Sequence, residues 1–255
     1  MVRVVTANAE VRIPTVPQPK CMRYASLAAL LLLIVPCGIL AQSPRTIFEF
    51  DPGMTVAVDL NKRVRLDFAT GREKTEELSS AKWKVSGGIS LRIKPFRKTL
   101  LDLIDTDKEH RVVVGVVYEF STTNDAGITH KENRIMADGT FRYTLRANVL
   151  LTNRNRFEFR WVDNEFHWRY RNRLMFEKQL KIERFKIMPF GGAEAVWDQR
   201  SHMWSIFKFT GGLQFRLIRR STLDVLYERQ HCVTCTDPHT NIVGVTLNLY
   251  LRRRR

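Results

Sequence analysis

From residue 166 to residue 180 the chain reads FHWRYRNRLMFEKQL, and its side chains sort by parity. Phe166, Trp168, Tyr170, Leu174, Phe176 and Leu180 take even positions, while His167, Arg169, Arg171, Arg173 and Glu177 take odd ones. Successive side chains on a strand point to opposite faces, so the stretch predicts a strand with an aromatic-aliphatic face and an arginine face. Wound as a helix, it would scatter the arginines around the cylinder. Residues 150–162 repeat the design: Arg154, Arg156, Glu158 and Arg160 alternate with Phe157, Phe159 and Trp161. The short link 163–166 makes the two stretches a hairpin whose charged faces coincide.

The same period runs through the chain. Val56 to Leu60, Val64 to Phe68, Trp83 to Ile93, Val112 to Phe120 and the stretch from His130 precede the hairpin. After it come 185–198, with Ala193, Ala195 and Trp197 against Glu194 and Asp198, and then Phe207, Phe209 and Phe215 against Lys208 and Arg216. Asp224 and Glu228 lie in the next stretch, and 243–251 closes the series. That makes eleven clear strands. Bacterial barrels carry an even number, so the β-prone run 47–50, closed by the turn signal Asp51-Pro52-Gly53, is expected as a twelfth, with ten as the alternative count.

An antiparallel strand in a soluble sandwich also alternates. Two features separate the cases. Soluble strands centre on about five or six residues, whereas these stretches run longer. The polar face is dense in long charged side chains, and the apolar face is headed by aromatics, as in a lipid-facing wall with an interfacial girdle. The expected fold is all-β, an antiparallel transmembrane β-barrel over residues 42–251. Its lumen would carry a ladder of Arg154, Arg156, Glu158, Arg160, Arg169, Arg171, Arg173, Glu177, Glu194, Asp198, Lys208, Arg216, Asp224 and Glu228. Its lipid face and girdle would carry Phe157, Phe159, Trp161, Phe166, Trp168, Tyr170, Trp197, Phe207, Phe209 and Phe215.

Only one stretch, about 25–41, is apolar enough to enter a bilayer as a helix, which excludes a helical multi-span protein. Lys20 and Arg23, the apolar run 27–35 and the break at Pro36-Cys37-Gly38 read as a secretory signal with cleavage near Ala41. Met22 is then a natural start. The formal charge of +16 is high, and the leader holds only four basic residues and one acid. Such an excess often marks nucleic-acid binding. Here the basic residues alternate with apolar ones in an exported chain, so no nucleic acid is expected, and the charge suits a lumen or anionic lipid head groups. The run 252–255 is a basic tail. Beyond the leader only Cys232 and Cys235 remain, spaced C-x-x-C, which in an exported protein points to a local disulfide.

ENRIMADGTFRYTL (132–145), LLTNRNRFEFRW (150–161), WRYRNRLMFEKQLKI (168–182), PFGGAEAVWD (189–198) and NIVGVTLNLYL (241–251) resemble a bacterial envelope family known as domain of unknown function 2490. The resemblance implies an outer-membrane β-barrel of the Gram-negative envelope and assigns no reaction. Barrel chains commonly end on an aromatic residue that the assembly machinery reads; this chain has Tyr250 and then runs on through the basic tail.

Chemistry is sparse. His110, His130, His202 and His239 fall at loop or strand-end positions, and His167 lies on the charged face beside Arg169. None stands in a nucleophile-base arrangement, so no enzyme, no catalytic residue, no metal and no cofactor is expected. The charged ladder supports either a salt-bridged filling or a small, anion-leaning, porin-like pore. The alternatives are a barrel-embedded enzyme acting on lipid and an exported soluble β-protein binding polyanions. Expected partners are outer-membrane lipid, lipopolysaccharide and the barrel assembly machinery.

Overall fold

The computed structural model describes residues 46–75, 81–96, 105–125, 127–182, 185–218, 220–235 and 238–252. They belong to one compact unit, Pro44–Arg255. The expected leader, and residues 253–255 of the basic tail, lie outside the described residues.

The strand segments are β1 (Thr46–Asp59), β2 (Val64–Thr75), β3 (Ala81–Pro95), β4 (His110–Asp125), β5 (Ile128–Thr144) and β6 (Val149–Val162). They continue with β7 (Glu165–Lys178), β8 (Leu180–Ile182), β9 (Phe185–Asp198), β10 (Met203–Ile218), β11 (Ser221–Cys232) and β12 (His239–Arg252). Sequential neighbours pair antiparallel from β1 to β7 and from β9 to β12, and β7 pairs with β9. β8 meets β9 in the register that β7 already holds (Glu177 opposite Phe190, Leu180 opposite Ile187), so it extends β7 and adds no stave. β1 pairs with β12 in parallel, from Thr46 opposite His239 to Asp59 opposite Arg252, and closes the sheet into a barrel.

The wall therefore has eleven staves, which corrects the expected twelve. With strands running alternately up and down, an odd number leaves the first and last parallel. The expected turn at Asp51-Pro52-Gly53 is absent, and β1 runs straight through it. Proline lacks the N–H that a two-sided strand needs. The ladder to β2 opens there: Phe50 is opposite Lys74 and Gly53 opposite Gly71 in one unbroken register, with Asp51 and Pro52 between them unpaired on that side. The parallel ladder to β12 carries the strand across.

One rim, the upper, carries the β6–β7 turn, and the other, the lower, carries the β3–β4 connection. Asp163 and Asn164 form a two-residue turn with φ of 50° and 73°. Positive φ at both positions is what a type I′ hairpin requires, and Asn and Asp tolerate it best among residues with a side chain. Contact between β7 and β9 is close: a Cβ on Gly192 would overlap the Leu174 carbonyl oxygen, so this position admits only glycine without a backbone shift.

The interior is polar and the exterior apolar. Among the described residues, sixteen buried side chains are polar or charged and seven are hydrophobic, the reverse of a soluble core. The outer wall exposes Ile89 and Leu91 on β3, Val116 and Tyr118 on β4, Phe157 and Phe159 on β6, and Phe207 and Phe209 on β10. All five tryptophans gather near the upper rim on strands that start or end there. Trp83, Trp168 and Trp204 sit just inside the starts of β3, β7 and β10, and Trp161 and Trp197 just before the ends of β6 and β9. Trp168 stacks on Trp197 at 4.8 Å between ring centres, and Trp161 meets Phe166 at 5.3 Å.

Candidate functional site: the charged lumen

Strand pairing sets the charged faces of β6 and β7 edge to edge: Arg154 is opposite Arg173, Arg156 opposite Arg171, Glu158 opposite Arg169 and Arg160 opposite His167. Like charges directly opposite destabilise a pair, so these arginines need carboxylates from elsewhere. β5 and β9 supply most of them. Asp138 on β5 takes both Arg154 (2.6 Å) and Arg156 (2.7 Å). Glu194 on β9 takes Arg171 at 2.5 Å, and Asp198 takes Arg169 at 2.5 Å. Within the hairpin, Glu158 accepts from Arg171 Nη1 at 2.7 Å and is 2% exposed.

Arg160 pairs with Glu132, which also holds Arg134 at 2.9 Å, and Arg134 reaches Glu119 at 3.2 Å. Lys208 on β10 meets Glu228 on β11 at 2.7 Å, where the Thr210 hydroxyl donates to the same carboxylate. Asp224 accepts from the amides of Gln214 (2.7 Å) and Asn248 (2.9 Å). Arg216 is exposed at the lower rim. Glu177 pairs with none of the hairpin's arginines; its partner is Lys108, from the β3–β4 connection, at 2.6 Å.

That connection ends in a 3-10 turn, Thr106–Glu109, capped by the Asp105 carboxylate accepting from the Asp107 amide. Arg65 on β2 donates to Asp105 at 2.8 Å, Arg92 on β3 to Asp107 at 2.5 Å, and Arg142 on β5 to the Asp107 carbonyl at 2.8 Å. With Lys108 on β7's Glu177, five residues thus tie four strands together across the lower end. Burial alone would raise the Asp105 carboxyl, but Arg65, Lys108 and Arg142 hold it down at about 2. Lys108 is pushed up against its burial by Glu177 and Asp105. Above this floor lies a cavity of about 560 Å³.

On the outer face Phe157, Phe159, Phe166, Phe207 and Phe209 are exposed, while Trp161, Trp168, Tyr170, Trp197 and Phe215 are half-buried against neighbours. Tyr250, by contrast, faces inward near the lower end, with the Arg65 guanidinium 5.8 Å from its ring centre. Cys232, the last residue of β11, forms a disulfide with Cys235 in the connection to β12. His130 pairs with Asp163 in the upper rim, His231 faces His239 across β11 and β12, and His167 is buried in the lumen.

Sequence reasoning missed the inward row of β5, namely Glu132, Arg134, Asp138 and Arg142. Its signal is the same period-2 alternation, here with the charges on even positions, weakened by Met136 and Thr140 on the charged face. It also missed the floor, whose residues come from a connection without a period.

The family described as "Protein of unknown function (DUF2490)" matches residues 48–237. The chain belongs to this family. The matched span begins within β1 and covers every stave except β12. No curated protein matches the chain. For this family member the geometry is therefore the guide to function. The described site is an ion-paired interior, floored at one end and carrying a cavity, inside an apolar wall.

Proposed function

We propose that the protein is an integral β-barrel of the bacterial outer membrane whose interior is filled and latched by ion pairs, so that it conducts solutes poorly. The observation that carries the reading is the outer wall: an apolar belt edged at the upper rim by all five tryptophans. Tryptophan is enriched where hydrocarbon meets head groups, because its ring is apolar and its N–H is polar. The height fits as well. Strands of 14 residues, at about 3.3 Å rise and a tilt near 40°, stand roughly 35 Å tall, enough for an apolar band of about 25 Å.

The interior favours a filled barrel over an anion filter. An anion-selective constriction needs cations free to meet the ion. Here Arg156, Arg160, Arg169 and Arg171 are each spent on a carboxylate, and residues 105–109 lie across the lower end. Lipid and lipopolysaccharide around the belt, and the assembly machinery during insertion, are the partners this reading entails. It gives no role to a lipid-acting enzyme.

Membrane fractionation tests it. Extraction by detergent and not by salt, with heat-modifiable mobility on gels, is the expected result; recovery in the soluble periplasm would overturn it. Planar-bilayer recording of the refolded chain then separates filling from filter. Near-silent bilayers that gain conductance on Arg171→Glu support the filling, and steady anion-selective steps from the unaltered chain would replace it with a pore.

A further inference from the structure

The cavity above the floor has two unlike walls. On the β5–β7 side, register places Arg142 opposite Thr152, Thr140 opposite Arg154, and Arg154 opposite Arg173. These are adjacent inward positions on three neighbouring strands. The guanidinium groups outnumber the acceptors there. Asp138 is shared by Arg154 and Arg156, and Glu194 is taken up by Arg171, leaving Arg173 with only a 3.8 Å approach to it. Three buried polar atoms on this wall make no hydrogen bond to the protein: Arg173 Nε, Arg142 Nε and the Thr152 hydroxyl. All three side chains line the cavity. An arginine Nε can only donate, and burying a donor without an acceptor costs about 1–3 kcal/mol. What the wall lacks is an acceptor-rich anion.

On the opposite wall, across the lumen on β2 and β11, two carboxylates lack a close ion pair. Asp67 accepts from the Ser90 hydroxyl at 3.2 Å and has Arg65 at 4.0 Å, while Asp224 takes its hydrogen bonds from the neutral amides of Gln214 and Asn248 and feels the Lys108 ammonium only through space. Both line the same cavity. Asp105 and Asp107 below are already engaged by Arg65 and Arg92. A chamber of about 560 Å³ is also in the size range of small-molecule sites.

We infer that this cavity is a binding site for a small zwitterion of the amino-acid class, its carboxylate on Arg154 and Arg173 and its amine toward Asp67 and Asp224. A carboxylate offers the acceptors that Arg173 Nε and Thr152 lack, and charge-assisted bonds of this kind are about twice as strong as neutral ones. The acids opposite disfavour a dianion of the same length and favour an amine. The inference goes beyond the envelope reading, because it concerns the folded lumen wherever the barrel resides.

Calorimetric titration of the full chain refolded in detergent micelles tests it, with 4-aminobutyrate, succinate and inorganic phosphate as probes. The expected result is saturable binding of 4-aminobutyrate, at least tenfold tighter than succinate or phosphate. Arg173→Gln weakens it at least tenfold, and Asp224→Asn removes the preference over succinate. Arg146→Gln, exposed on the lower rim, changes nothing. Thr152→Val serves as a second, nearly isosteric variant if Arg173→Gln does not refold, and weakens binding severalfold. Absence of saturable binding by any probe at millimolar concentration overturns the site. Equal binding of succinate, or indifference to Asp224→Asn, overturns its zwitterion selectivity. Fractionation reads the membrane proposal separately, so failure of one is distinguishable from failure of the other.

Discussion

The Lys108 ammonium lies 2.6 Å from the Glu177 carboxylate and joins the β3–β4 connection to β7, three staves farther round the wall than β4. Both side chains are largely buried, at 14% and 11% exposure. Removing one partner of such a pair strands the other, at about 3–5 kcal/mol. Lys108→Met is therefore expected to lower unfolding stability by about 3 kcal/mol and to speed hydrogen exchange over residues 105–109. The exchanged pair Lys108→Glu with Glu177→Lys should recover much of the loss. If the single variant exchanges like the parent protein, the connection is not anchored through Lys108.

Acid should release the floor. The Asp105 carboxyl sits at about 2 in the folded protein, held there against burial by Arg65, Lys108 and Arg142. A carboxyl near 4 when unfolded and lower when folded adds stability above its unfolded value, and loses it as pH falls through the folded one. Asp107 is pushed the other way, by burial and by Asp105 beside it, and offsets part of this. Docking of residues 105–109 is thus expected to hold at neutral pH and to weaken between about pH 4 and pH 2. Hydrogen exchange read against pH checks the window, and Asp105→Asn should flatten it.

Glu158 is the most enclosed carboxylate of the ladder, bonded to Arg171 and within 3.8 Å of Arg156. Glu158→Ala leaves these guanidiniums short of a counter-charge in the barrel's middle, for an expected loss of about 3–5 kcal/mol. Glu158→Gln keeps shape and an acceptor, and should lose less, about 1–3 kcal/mol. Denaturant unfolding in micelles measures both. Equal effects of the two would mean that shape, and not charge, is what Glu158 contributes.

Much of this fold can be read from parity. The alternation of Arg154, Arg156, Glu158 and Arg160 with Phe157, Phe159 and Trp161 is unbroken, because one side chain in two meets each environment and the environments differ sharply. The expected twelfth strand fails at Pro52 for a local reason: Asp51-Pro52-Gly53 reads as a turn from its neighbours, and the β12 ladder that carries β1 across it is distant in sequence. The eleven periodic stretches match the eleven staves, and the even-number rule adds one too many. Pairing partners were less legible than faces. Asp138 and Glu194 come from strands beside the hairpin, so finding them requires register. The floor was least legible, since Asp105, Asp107 and Lys108 lie in a connection whose position depends on arginines distant in sequence.

The outer wall offers the sharpest test of what surrounds the barrel. Phe209, in the middle of β10, is 64% exposed. On a water-soluble protein, replacing such a phenylalanine by arginine removes apolar surface from water and is close to harmless, within about 0.5 kcal/mol. In a bilayer the same change places a guanidinium near the hydrocarbon midplane, at about 2–4 kcal/mol. Phe209→Arg is therefore expected to fold like the parent chain in micelles and to lose about 2–4 kcal/mol in phospholipid vesicles. The same substitution at Trp204, next to the upper rim, should lose no more than about 1 kcal/mol, because there the charge reaches head groups and water. A depth-dependent penalty of this form requires lipid against the wall. Equal stability of both variants in vesicles would place the belt against something other than a bilayer.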